Sequence, residues 1–329
     1  MNGEVKRAFV TGANGFIGIH LCKKLVQENW QVTALVRSSS DLEYLEHPNI
    51  KIVHGSVTDV DSMKKHLQEQ TDCVFHLAGV TSQWSKDFER QSEVNITGTK
   101  NMIDLASEKQ AKRFIHVSSI MAYGIHKGII DESSASNATE SRNNYSLSKW
   151  KGENLALHAF QSGMDVVIIN PSHVIGPIDR KNHIQLFQAI IDNKLPGVPP
   201  GKGMFCHVKD VVTAMVLAFE KGKSGEKYLV GGYHLSFKEL ASEIRRQLGK
   251  NENVRTIPEW VFQLMLPFYT VGSWVSKKEP LLTRGKIQIS CKDIQCDDHK
   301  AKSVFGLAYK PLEEMVRDTL RWIESEKIT

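Results

Sequence analysis

Residues 7–18 constrain this chain more than any other stretch. Arg7–Thr11 (RAFVT) is a short apolar run of the kind that forms a strand buried on both faces. It leads directly into Gly12-Ala13-Asn14-Gly15-Phe16-Ile17-Gly18, then into a stretch with Ile17, Leu21, Leu25 and Val26 at helical spacing. Strand, glycine turn and helix in that order form a phosphate cradle. The glycines permit a tight turn, close backbone approach to a pyrophosphate, and close packing of helix on strand. The helix N-terminus adds N–H groups and the positive end of its dipole. Gly12, Asn14, Gly15, Phe16, Ile17 and Gly18 are therefore expected to contact a bound dinucleotide.

The alternation continues. Further apolar runs at 31–37, Ile50–His54, 73–78, 113–118 and 166–170 predict strands, and residues 15–28, 61–68, 95–108 and 145–161 predict helices. Strands of continuous apolar character separated by helices predict a Rossmann-type α/β fold, a doubly wound parallel sheet covered on both faces. A length of 329 residues leaves room for a second, smaller unit. We expect a dinucleotide-binding domain at 1–171 plus about 205–232 and a discontinuous substrate domain at 172–204 plus about 233–329. Within the latter, residues 258–269 (PEWVFQLMLPFY) read as an apolar helix buried inside the small domain, too short at twelve residues to cross a membrane.

Composition excludes several function classes. Lys plus Arg number 42 against 37 for Asp plus Glu, a net charge of +5 spread without a basic block, so nucleic acid is not an expected partner. No apolar run approaches the ~20 residues of a membrane span, and residues 1–12 carry no apolar leader pattern. Five cysteines, an odd number without CxxC, fit reduced thiols and a cytoplasmic location. The 13 histidines form no HExxH or similar array, so no metal is expected.

Other residues carry candidate chemistry. The second strand ends in Val36-Arg37-Ser38, where a NAD-selective site places an acid. Arg37 can pair with a 2′-phosphate and Ser38 can donate to it, which predicts NADP, with NAD as the alternative. Tyr145-Ser-Leu-Ser-Lys149 puts a phenol and an ammonium on one helix face, and a nearby ammonium lowers a phenol's pKa. Ser119 ends the fifth strand, at the sheet edge that faces ligand. His76 and His116 lie within strands and are expected to be packing groups. Thr81, Trp84, His173 and His207 are placed near the crevice as substrate-lining candidates. The polar stretch 125–144, long for a loop, reads as a flap over substrate.

Taken together, TGANGFIG (11–18), HLAG (76–79), VNITGT (94–99), VSS with a following YG (117–124), YSLSK (145–149) and NPSHVIGP (170–177) resemble the short-chain dehydrogenase/reductase superfamily. More narrowly they are similar to its extended branch, the NAD-dependent epimerase/dehydratase family. The resemblance runs to about Leu248. It implies Tyr145 as general acid/base, Lys149 as its pKa-lowering and ribose-binding partner, and Ser119 as the catalytic hydroxyl. Asn95 matches a structural or water-relay asparagine. Leu77, Ala78 and Gly79 are implied as backbone contacts to the cofactor, joined by Val117 and by Pro171, Ser172 and Val174 near the nicotinamide. Gly55-Ser56 departs from the family's usual Gly-Asp, with the next acid at Asp59. The implied activity is hydride transfer between a nicotinamide and a carbonyl or hydroxyl of a small molecule, nearer the dihydroflavonol-reductase and hydroxysteroid-dehydrogenase relatives. The alternative is a nucleotide-sugar epimerase or dehydratase recycling NAD, for which Asn182 would stand beside the diphosphate. A third reading is a cofactor-binding regulator without turnover. The resemblance also implies a homodimer through helices 95–108 and 145–161.

Overall fold

The computed structural model describes residues 5–141, 143–276 and 279–326. The leader reading of the first residues lies in part outside them, as residues 1–4 are not described. In chain order the strands are β1 (Arg7–Thr11), β2 (Gln31–Val36), β3 (Ile50–His54), β4 (Cys73–His76), β5 (Phe114–Val117), β6 (Ile129–Ile130), β7 (Val166–Pro171), β8 (His173–Ile175), β9 (Lys202–His207), β10 (Lys227–Val230), β11 (Tyr233–Ser236) and β12 (Gln295–Cys296). Seven form one sheet in the order β10-β7-β5-β4-β1-β2-β3, with every neighbouring pair parallel.

The apolar runs are continuous because both faces of this sheet are covered. Val10, Phe75, Ile115 and Ile169 belong to one buried cluster, and Phe9, Val74, Phe114 and Ile168 to another. Successive side chains point to opposite faces, so each strand contributes to both cores. Strand order reverses between β1 and β4, and the crevice at the carboxyl ends of such a switch point is where ligands bind. A smaller sheet, β11-β9-β8, stands beside it, and β12 pairs with β6.

Several local expectations change. The helix expected at 61–68 is only Val60–Lys64, started by Asp59, whose side chain accepts from Ser62 N. The helix expected at 95–108 is Gly98–Glu108, preceded by a π-helical turn at Glu93–Thr97 and a short helix at Phe88–Ser92. The apolar helix is Glu259–Ser276, eighteen residues rather than twelve, with Pro267 inside it. It is not buried as expected. Trp260, Leu264, Phe268 and Val271, spaced along one face, are all more than 60% exposed, Phe268 at 79%. Among the described residues no helix is long and apolar enough to cross a membrane. All five cysteines are free thiols.

The expected flap is instead tied to the body. Its β6 pairs with β12, the Asn137 amide exchanges hydrogen bonds with the Ile125 backbone at 3.0 and 2.8 Å, and Glu132 accepts from Leu229 N at 2.9 Å. A segment bonded at several points along its length is an ordered wall, not a free lid. Arg142, within it, lies outside the described residues.

Candidate active site

The glycine turn is built as its spacing predicts. Gly12 has φ +67°, and a Cβ there would stand 2.8 Å from Ala78 N and 2.9 Å from the Leu77 carbonyl carbon. The turn after β1 thus runs against the Leu77–Ala78 backbone after β4, at the switch point. A Cβ on Gly18 would overlap the Gly12 carbonyl oxygen and stand 2.9 Å from Ala13 Cα. Helix Phe16–Gln27 starts at Gly15 with no side-chain cap and no acid in its first turn. An uncapped positive helix end above a turn with no room for a Cβ at Gly12 or Gly18 fits a dinucleotide pyrophosphate. Asn14, Phe16 and Ile17 are half-buried around it.

Thr11 and His76 brace this cradle. Thr11 Oγ1 accepts from Ala78 N at 3.1 Å and lies 2.9 Å from His76 Nδ1, and His76 Nε2 lies 3.0 Å from Thr99 Oγ1. Asn95, in the π turn, clasps the next residues. Its Oδ1 accepts from Val80 N at 2.7 Å, and its Nδ2 donates to Val80 O at 3.1 Å and to Ser148 Oγ at 3.0 Å. The loop after β4 is thereby fastened to the helix Asn144–Gln161 that carries Tyr145 and Lys149.

At the end of β5, Ser119 Oγ accepts from Met121 N at 3.1 Å, and its hydroxyl faces the Tyr145 phenol. Lys149 Nζ donates to the Val117 carbonyl at 2.7 Å and is 8% exposed. Burial lowers its pKa to about 8, opposed by the charge of Glu153. Burial also raises the Tyr145 pKa, with the Ser119 hydroxyl pulling it down. The expected lowering by Lys149 is therefore not what this arrangement produces. The ammonium is turned to a backbone carbonyl, and the phenol keeps its proton at neutral pH.

The remaining candidates fall in different places. Pro171 is buried at the end of β7, and Ser172 donates to Gly231 O at 2.6 Å. Val174 packs against the main core. Arg37 and Ser38 are exposed at the end of β2. The acids just beyond them, Asp41 and Glu43, are engaged by Arg180 at 2.5 and 3.2 Å. Thr81 is exposed, and Trp84 packs on its own loop, with Lys86 Nζ 5.0 Å from its ring centre. His173 stacks on Phe205 at 4.8 Å and meets His183 edge-on. His207 does not present a free ring to a pocket. It is fully buried, caps helix Val208–Lys221 by accepting from Lys209 N at 3.0 Å, and faces Asp318. Asn182 is exposed, its N–H donating to Asp179 at 2.9 Å. Reading by motif missed Glu153 and gave Asn170, the first residue of the 170–177 motif, no role of its own; the two form a buried pair beneath Ser119. Glu153 was visible only as the third member of the spacing Tyr145, Lys149, Glu153, every fourth residue of one helix.

The buried histidines make a pH prediction. Burial lowers the His76 pKa to about 3, and that of His116 well below the ordinary 6.5. Below pH 6.5 the unfolded chain therefore binds more protons than the folded one. Their stabilisation is complete above that pH and is lost as pH falls toward the folded values, by at most ~1.4 kcal/mol per pH unit per histidine. Urea midpoints measured from pH 7 to pH 5 should fall. A flat midpoint would mean the imidazoles are not held neutral.

A model of the NAD dependent epimerase/dehydratase family matches residues 8–231. A putative dihydroflavonol 4-reductase of Synechocystis sp. is 30% identical, the alignment covering 96% of this chain and 94% of that one. Human dTDP-D-glucose 4,6-dehydratase is 29% identical over 79% of each. The crystal structure of WbmH from Bordetella bronchiseptica, in complex with NAD+, superposes with a TM-score of 0.78 at 22% identity, covering 98% of this chain and 99% of that one.

Proposed function

The chain belongs to the NAD dependent epimerase/dehydratase family, and on that footing we propose that it is an NADP-dependent oxidoreductase that reduces a carbonyl group of a small organic molecule, with Tyr145 as proton donor. The observation that carries this reading is the Tyr145–Ser119 pair. A half-buried, protonated phenol facing a hydroxyl at the carboxyl end of β5 is the group a developing alkoxide needs. When bound, the nicotinamide supplies the hydride. Ser119 holds the substrate oxygen, Tyr145 gives it a proton, and Lys149 holds the cofactor ribose. Gly12, Gly15 and Gly18 receive the pyrophosphate, Leu77, Ala78 and Gly79 line its path, and Val117, Pro171, Ser172 and Val174 flank the nicotinamide. In this reading residues 1–171 and about 205–232 carry the cofactor and the remainder shapes the substrate pocket, in a cytoplasmic protein acting as a homodimer.

Arg37 supports the choice of NADP. It stands exposed at the end of β2, while the nearby acids are taken up by Arg180. Titration with NADPH and NADH, followed by nicotinamide fluorescence, tests this. NADPH should bind more tightly, and Arg37→Ala should weaken NADPH alone by roughly 10- to 100-fold, the worth of a charge-assisted hydrogen bond at ~1.5–3 kcal/mol. Carbonyl substrates should then consume NADPH stoichiometrically at 340 nm. The relative that acts on dTDP-D-glucose favours a second reading, a nucleotide-sugar dehydratase or epimerase that recycles NAD. Tighter NADH binding, or product without net NADPH loss, would select it.

A further inference from the structure

Glu153 stands one helical turn after Lys149 and is 4% exposed. A carboxylate at that depth is tolerated only where its oxygens are bonded and its charge is compensated. Both conditions hold. Oε2 accepts from Asn170 Nδ2 at 2.6 Å, and Oε1 lies 3.4 Å from Lys227 Nζ. These partners lead into the site. The same Asn170 amide donates to the Ser119 carbonyl at 3.1 Å, and the Lys227 ammonium lies 4.3 Å from the ring centre of Tyr123, in the turn after Ser119. One carboxylate thus ties together the Tyr145 helix, the end of β5, β7 and β10.

Lys149 has the opposite need. Burial drives an ammonium toward the neutral amine, which has one proton fewer to donate. The groups that bear on it are His76 on β4 and His116 on β5, both neutral, and Glu153. Lys227, on β10, bears on it through Glu153. Glu153 is the one that brings a negative charge.

We propose that Glu153 is a positioning residue of this active site: its carboxylate keeps Lys149 an ammonium able to donate, and through Asn170 it fixes the strand end that carries Ser119. The inference rests on Lys149 having the role given above, but its test does not pass through turnover. The whole protein is labelled with 13C at lysine Cε, and the Lys149 resonance is assigned by its loss in Lys149→Met. Glu153→Gln preserves shape and an acceptor for Asn170 while removing the charge. The Lys149 titration midpoint should fall by about one pH unit, the low end of what a neighbouring opposite charge contributes. Mere loosening would admit water and move the midpoint upward, toward the ordinary lysine value. An unchanged or raised midpoint overturns the proposal. Should Glu153→Gln fail to fold, Glu153→Met serves: it removes the same charge at similar volume, so the midpoint should fall likewise, and no fall overturns the proposal. A moved midpoint in a protein whose Tyr145→Phe variant still turns over would sink the catalytic reading and leave this electrostatic one standing.

Discussion

Tyr145→Phe should lower turnover about a thousandfold, within the 10²- to 10⁴-fold range of a positioned general acid, while leaving NADPH affinity unchanged. The substitution removes one oxygen. Phenylalanine keeps the ring in its half-buried place, and the cradle at Gly12–Gly18 lies on a different strand end. What is lost is the proton and the hydroxyl that faces Ser119. Steady-state NADPH consumption gives the rate and fluorescence titration the affinity. Loss of both together would mean that the ring position, not the hydroxyl, was being tested. Full activity would remove Tyr145 from the mechanism and with it the proposed function.

Gly18→Ala should cost about 3 kcal/mol of stability, the upper end for an overpacked site. Two effects oppose each other. Alanine in place of glycine in a helix gains about 1 kcal/mol from backbone entropy. Against this, the new methyl overlaps the Gly12 carbonyl oxygen and stands 2.9 Å from both Ala13 Cα and the Ala13 carbonyl oxygen. These are backbone atoms, with no rotamer to move into, so the steric term wins. Relief requires the helix to retreat from the turn, which opens the phosphate cradle. Losing even one hydrogen bond to a charged phosphate, worth ~1.5–3 kcal/mol, weakens the cofactor at least roughly tenfold. Denaturant midpoints and NADPH titration measure the two effects separately. A variant as stable as the parent would show that the turn is not packed against the helix as described.

The cradle and the Tyr145–Lys149 pair were both legible along the chain because they are local. β1, the glycine turn and the first helix occupy twenty-one consecutive residues, Arg7 to Gln27, and each is specified by its own spacing. Tyr145 and Lys149 share a face because a helix repeats every 3.6 residues. Asn95 was placed by motif, but its work of holding Val80 to Ser148 needed three separate segments to be seen together. His207 shows the limit from the other side: a histidine after a glycine-rich loop reads as a pocket-lining candidate, yet the next helix takes its ring as a cap.

What the chain alone determined, then, is what backbone periodicity sets: alternating buried strands, helices and the glycine turn, and through them a doubly wound sheet. Only the tertiary structure decided which charges live and which are silenced. Burial under neighbouring strands keeps the Tyr145 proton on and holds His76 and His116 neutral. Glu153, Asn170, Lys227 and Ser119 meet across 108 residues of sequence because β5, β7 and β10 are adjacent. The pinning of 125–144 by β12 and the exposure of the apolar helix face likewise follow from what packs where. Desolvation and long-range pairing are properties of neighbours, and neighbours in space are not written in the local spacing of a chain.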